Sequence, residues 1–130
     1  MKKFFYLFVI LFIAAGCASN HGAYSTTERP AEENVINAPV DVVWENALVI
    51  LPQERMTIKN ADKKEYTIQA RKAVTLLSIG DNVTITLIPK GDKQTVMHFK
   101  AEAVKGIGGF GHQKRMAKDI FQKIKTASEK

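Results

Sequence analysis

Two periodicities divide the chain beyond residue 33. Val40, Val43, Trp44, Ala47, Leu48 and Leu51 recur at three- and four-residue steps, the spacing of one helix face. Pro39 suits the first position of that helix, where a missing N–H costs nothing, and Pro52 is expected to end it. Asp41 and Glu45 lie near its start, where the helix dipole favours acids. Met116, Ala117, Ile120, Phe121 and Ile124 repeat the spacing and predict a second helix over residues 112–127. Between the helices the period falls to two. Residues 56–61 and 65–73 alternate on either side of the turn-like Asp62-Lys63-Lys64, and residues 83–87 alternate again. Residues 89–92, Pro-Lys-Gly-Asp, turn the chain into a further alternating run at 95–103. The inward set is Met56, Ile58, Tyr66, Ile68 and Ala70, then Val83, Ile85 and Leu87, then Met97, Phe99 and Ala101. Residues 34–37 add a short strand before Pro39. Val74 to Ile79 is apolar without a clear period, and either prolongs its neighbouring strand or forms a projecting arm. The order β-α-β-β-β-(β)-α predicts an α+β two-layer sandwich over residues 34–127. It has an antiparallel sheet of four to five strands with two helices on one face.

Residues 1–33 follow neither period. Lys2 and Lys3 precede an unbroken apolar run, Phe4 to Ala15, and small residues then lead into Cys17, the only cysteine. Positive, apolar and small stretches in that order make a secretory signal. Ala14-Ala15-Gly16-Cys17 resembles the bacterial lipobox, although that motif most often has Leu where Ala14 stands. The resemblance implies cleavage after Gly16 (a signal peptide over 1–16), a diacylglycerol thioether on Cys17 and acylation of the new amine. Twelve apolar residues span about 18 Å as a helix, short of the roughly 30 Å hydrocarbon core, so acyl chains rather than a spanning helix would hold the protein. Ala18 is not the Asp that retains such proteins at the inner membrane, which favours the outer membrane and a domain facing the periplasm. Residues 17–33, apolar only at Tyr24 and a few alanines, read as the acylated cysteine and a flexible tether reaching roughly 20 Å.

Composition narrows the chemistry. Lys and Arg number 19 against 13 Asp and Glu. Removing Lys2 and Lys3 with the signal leaves 17 against 13, too mild a balance to imply a polyanion partner. Eight basic residues lie from Lys100 onward, and such a helix face is either solvated or set against an acidic lipid or protein surface. Gly106-x-Gly108-x-x-Gly111 follows a strand and opens a helix, the local setting of a dinucleotide fingerprint. Only 19 residues follow Gly111, with no further parallel strand and no acid to hold a ribose. The glycines suit a tight strand-to-helix turn. An anion resting on Gly108, Gly109 and Gly111, aided by His112, Lys114 and Arg115, is the site this stretch offers. The uncovered sheet face offers another, through Lys59, Arg71, His98 and Lys100 among threonines, unless that face is simply solvated. His21, His98 and His112 lack metal-ligand spacing, so no metal is expected. No paired carboxylates occur, and Ser78 lacks the setting of a nucleophile elbow, so neither an enzyme nor a cofactor is expected. The sheet carries no stacking aromatics for nucleic acid.

Val83-Thr-Ile-Thr-Leu, the turn at Gly91, Gly106-x-Gly-x-Phe110-Gly111 and Ile120-x-x-x-Ile124 resemble a family of small bacterial lipoproteins. That family favours Asp where His112 stands. The resemblance implies a fold like the domains of the barrel-assembly-machinery lipoprotein C, and it brings no catalytic residues. These readings lead to a non-enzymatic outer-membrane lipoprotein whose tethered domain binds an envelope protein through the open face or residues 74–79. The alternative is a carrier holding a small anionic or lipidic ligand between sheet and helices. A Cys17→Ser variant is expected to fold normally and leave the membrane; fractionation that finds it fully membrane-bound overturns the lipidation reading.

Overall fold

The computed structural model describes residues 23–26, 31–73, 80–103 and 110–130. The chain runs through β1 (Ala23–Ser25), a 3-10 turn (Ala31–Asn34), β2 (Val35–Ile36), α1 (Val40–Gln53), β3 (Met56–Asp62), β4 (Thr67–Lys72), β5 (Asp81–Lys90), β6 (Gln94–Ala103) and α2 (Phe110–Ser128). The sheet order is β1-β6-β5-β4-β3, with β2 also pairing β6. Every pairing is antiparallel. The result is an α+β two-layer sandwich.

Period-two alternation decides which sheet face is covered. Met56, Ile68, Ala70, Val83, Ile85, Leu87, Met97, Phe99 and Ala101 are buried in one cluster with Ile58 and Tyr66 packed against it, matching the inward set. α1 meets them with Val43, Trp44, Ala47, Ile50 and Leu51, and α2 with Met116, Ala117, Ile120 and Ile124. Each large side chain so buried contributes about 1.5–3 kcal/mol. Phe99, Met97, Leu51, Ile120 and Ile124 are all less than 2% exposed and fill the space between the layers.

Several local features differ from the sequence expectation. Pro52 lies inside the last turn of α1, and the chain leaves the helix at Arg55, whose φ of 62° is left-handed. A left-handed arginine carries no sequence signal, unlike a glycine. Tyr66 also turns left-handed (φ 48°), so β4 starts at Thr67. The Asp62 side chain accepts from the N–H groups of Lys64 (3.0 Å) and Glu65 (3.3 Å), closing that turn. Tyr66 then meets Trp44 edge-on, with ring centroids 5.8 Å apart. Pro89 and Lys90 stay in β5 opposite Thr95 and Gln94, and the reversal falls at Gly91 (φ 67°). α2 begins at Phe110, two residues before its expected start. Residues 74–79, with their two alternative readings, lie outside the described residues.

The largest departure is at the sheet edge. Residues 23–26 fall in the stretch expected to be tether, yet Tyr24 pairs with Ala101 and Ser25 with Lys100. Thr26 continues the line: its N–H donates to the Phe99 carbonyl (2.9 Å), and its Oγ1 accepts from the Phe99 N–H (2.8 Å). β2 resumes on the same strand with Val35 opposite Val96. Asn34 joins the two pieces, donating from Nδ2 to the buried Thr26 carbonyl at 2.9 Å. Composition did not reveal the 23–26 piece because backbone and amide hydrogen bonds hold it, with Tyr24 its one large apolar side chain packed against the core. At the far end, Asn37 N–H donates to Glu129 (2.8 Å), pinning the end of α2 beside β2. The Lys125 ammonium, followed by that N–H, holds the Glu129 carboxyl below its usual range. Asn34→Ala leaves the Thr26 carbonyl without its donor and is expected to cost about 1–3 kcal/mol in urea unfolding; an unchanged midpoint would show that the edge contributes nothing.

Candidate functional site

Asp81 opens β5 on the inward face, opposite Lys72 of β4 and Ala103 of β6. Its side chain is 3% exposed. A carboxylate removed from water needs hydrogen bonds, and both come from the first turns of α2. Gln113 Nε2 donates to Oδ1 at 3.0 Å, and His112 Nε2 lies 3.1 Å from Oδ2. Gln113 is itself buried, occupying the helix stripe one turn before Met116 and Ala117. The contact therefore ties α2 to the strand end. A carboxylate only accepts, so this contact pairs Asp81 with the His112 ring form that carries a proton on Nε2 and turns Nδ1 away from it.

Beside this pair lies a groove of about 290 Å³ lined by Glu54, Lys72, His112, Arg115, Met116, Asp119 and Ile120. Its charges are unevenly matched. Lys123 Nζ reaches Glu54 Oε1 at 2.6 Å and Asp119 Oδ2 at 3.1 Å, so one cation serves both acids. Those two hydrogen bonds, Glu54 first, hold the Lys123 ammonium above the usual lysine range. Lys72 Nζ donates to the Glu54 backbone carbonyl at 2.5 Å and makes no ion pair among the described residues. Arg115, exposed on α2, makes neither hydrogen bond nor ion pair among them. Two cations without carboxylate partners thus stand over Met116 and Ile120. No hydroxyl or thiol lines the groove among the described residues, so the His–Asp pair has no such nucleophile to activate there.

Of the residues expected to hold an anion at the glycine stretch, His112 and Arg115 reach this groove. Lys114 is exposed and does not line it, Gly111 lies in the first turn of α2, and Gly108 and Gly109 lie outside the described residues, as does Cys17. On the open face, the candidate cations do not converge. Arg71 sits between Thr57 and Asn82, and Lys100 lies beside Thr84 and Ser25, two strands from Arg71. Lys100 is also paired with Glu102 at 2.7 Å. His98 is half-buried opposite Thr86, and Lys59 falls at the bulge between Ile58 and Asn60. Sequence reasoning missed Asp81, Gln113 and Lys72. One signal was available: Gln113 is a polar residue on an otherwise apolar helix stripe, and such a side chain needs a partner.

No protein-family model and no curated protein matches the sequence. Solved structures do match in fold. Ara h 8.0201 superposes with a TM-score of 0.52 at 11% identity, covering 81% of this chain and 97% of that one. The di-domain ARO/CYC BexL from the BE-7585A biosynthetic pathway gives 0.51 at 12% identity, covering 82% of this chain and 44% of that one. A START superfamily protein from Mycobacterium smegmatis gives 0.47 at 10% identity, over 82% and 92%. At these identities the likeness is one of fold.

Asp81→Ala removes an acceptor from the Gln113 amide and is expected to lower stability by about 1–3 kcal/mol, measured by urea unfolding. His112→Gln, at a side chain 41% exposed, is expected to cost less than about 1 kcal/mol. Equal losses would show that the His112 contact, and not the Gln113 bond, accounts for the effect of Asp81.

Proposed function

We propose that the domain is a non-enzymatic binding module for a small anion bearing a short apolar part, held in the groove between α2 and the ends of α1 and β4. The single observation that carries this reading is that Lys72 and Arg115, without carboxylate partners among the described residues, line one groove with Met116 and Ile120. Arg and Lys bind carboxylate, sulfate or phosphate groups through charge-assisted hydrogen bonds. Among the described residues, the side chains packed between sheet and helices favour the groove over an interior position. The fold likeness fits a small ligand too, since BexL is an ARO/CYC protein of a biosynthetic pathway. We place the domain on the periplasmic side of an outer membrane, tethered through acylated Cys17, as the lipobox resemblance implies.

The test uses the full chain in lipid nanodiscs, titrated calorimetrically with butyl sulfate against empty nanodiscs. Saturable binding is expected. Lys72→Ala and Arg115→Ala should each weaken it about tenfold, the loss of one charge-assisted hydrogen bond. Lys59→Ala, on the opposite face, should leave it unchanged. Absence of saturable heat, or equal weakening by all three variants, would overturn the reading.

A further inference from the structure

We propose that anion binding in this groove is coupled to the uptake of a proton at His112 Nδ1, with Asp81 and Gln113 as the positioning residues. The inference rests on the binding reading above and specifies how the site is regulated. Its basis is the arrangement of the pair. Gln113 Nε2 at 3.0 Å holds one oxygen of the Asp81 carboxylate, and the other oxygen lies 3.1 Å from His112 Nε2. With both oxygens occupied, the carboxylate has little freedom to turn, and neither does the ring that it orients. Asp81 is 3% exposed whereas His112 is 41% exposed, so the pair runs from the buried strand end to the groove wall. The second ring nitrogen is the protonation site that this orientation leaves available.

The surrounding charges set the sign. Among the described residues, His112 faces Asp81 of β5 behind it, and the groove presents Lys72 from β4, Glu54 after α1, and Arg115 and Asp119 from α2, with Lys123 matching both Glu54 and Asp119. An imidazolium at His112 gains from Asp81 but is repelled by Lys72 and Arg115. An anion seated between those cations cancels the repulsion and adds an attraction. Protonation and anion binding therefore favour each other, and the coupling is reciprocal. One additional charge at contact range in a partly solvated groove corresponds to affinity on the order of tenfold tighter for the imidazolium form. Affinity should therefore fall as rising pH removes the His112 proton.

Butyl sulfate is a suitable probe because its own charge is constant from neutral to alkaline pH. Calorimetry on the full chain in nanodiscs, in buffers of different ionisation enthalpy, counts protons directly. Net uptake is expected near neutrality and should vanish in alkaline buffer. His112→Gln should abolish the uptake and flatten the pH dependence. Asp81→Asn, which removes the charge stabilising the imidazolium, should shrink the uptake near neutrality. Urea unfolding of both variants checks that they are folded. Saturable binding without proton uptake, or uptake that survives in folded His112→Gln, overturns this inference and leaves the binding reading intact. No binding at any pH overturns both.

Discussion

The register of the β5–β6 hairpin is the constraint on which the rest depends. Its two strands pair from Asp81 opposite Ala103 to Lys90 opposite Gln94 without a bulge. A slip of one residue would send one strand's inward set, Val83, Ile85 and Leu87 or Met97, Phe99 and Ala101, to the solvent face and strip the helices of those contacts. Every other strand hangs from this pair: β4 on β5, β3 on β4, and both edge pieces on β6. The same register positions the candidate site. Asp81 faces inward because it lies two residues before Val83, and it stands next to Lys72 because β4 pairs there. α2 must then bring donors to a buried carboxylate while laying its apolar stripe over the sheet, and successive residues His112 and Gln113 provide them.

What could be read from the sequence follows from what generates a pattern. Helix stripes and strand alternation arise from burial of many side chains at once, so Val43 to Leu51, Met116 to Ile124 and the inward set were legible. Features held by one or two polar contacts were not. Arg55 and Tyr66 adopt left-handed backbone without glycine, and the Thr26–Asn34 link rests on a hydrogen bond between two polar residues. The groove was half legible. His112 and Arg115 stood out as charged residues after a glycine stretch, but Lys72 and Asp81 are distant in sequence and meet only through strand pairing.

The charge arrangement of the groove has an internal logic. Glu54 and Asp119 would neutralise Lys72 and Arg115 if they were free to do so, yet Lys123 holds both acids toward the α1–α2 seam. A second depression of about 580 Å³ continues along that seam past Lys123, bounded by Ile50, Gln122 and Ala127. Lys123 thus separates two stretches of one furrow of different character, cation-rich at the Asp81 end and mixed along the helices. Few such features are visible on the open sheet face, where threonines separate the cations and Glu102 occupies Lys100.

The pairing of β1 with β6 also controls how the domain hangs. Ala23 enters the sheet opposite Glu102, one residue from Ala103 and so at the sheet end that carries Asp81 and Lys72. From Cys17, six residue steps reach Ala23, a span of at most about 20 Å when fully extended; the distance along the chain to Asn34 would have allowed about 60 Å. With Cys17 acylated as proposed, the leash is short and is fastened at the same sheet end as the groove, three strands across from Lys72. The domain would be suspended with its cationic end toward the lipid headgroups, where amphiphilic anions are most concentrated, and its hairpin turn at Gly91 pointing away.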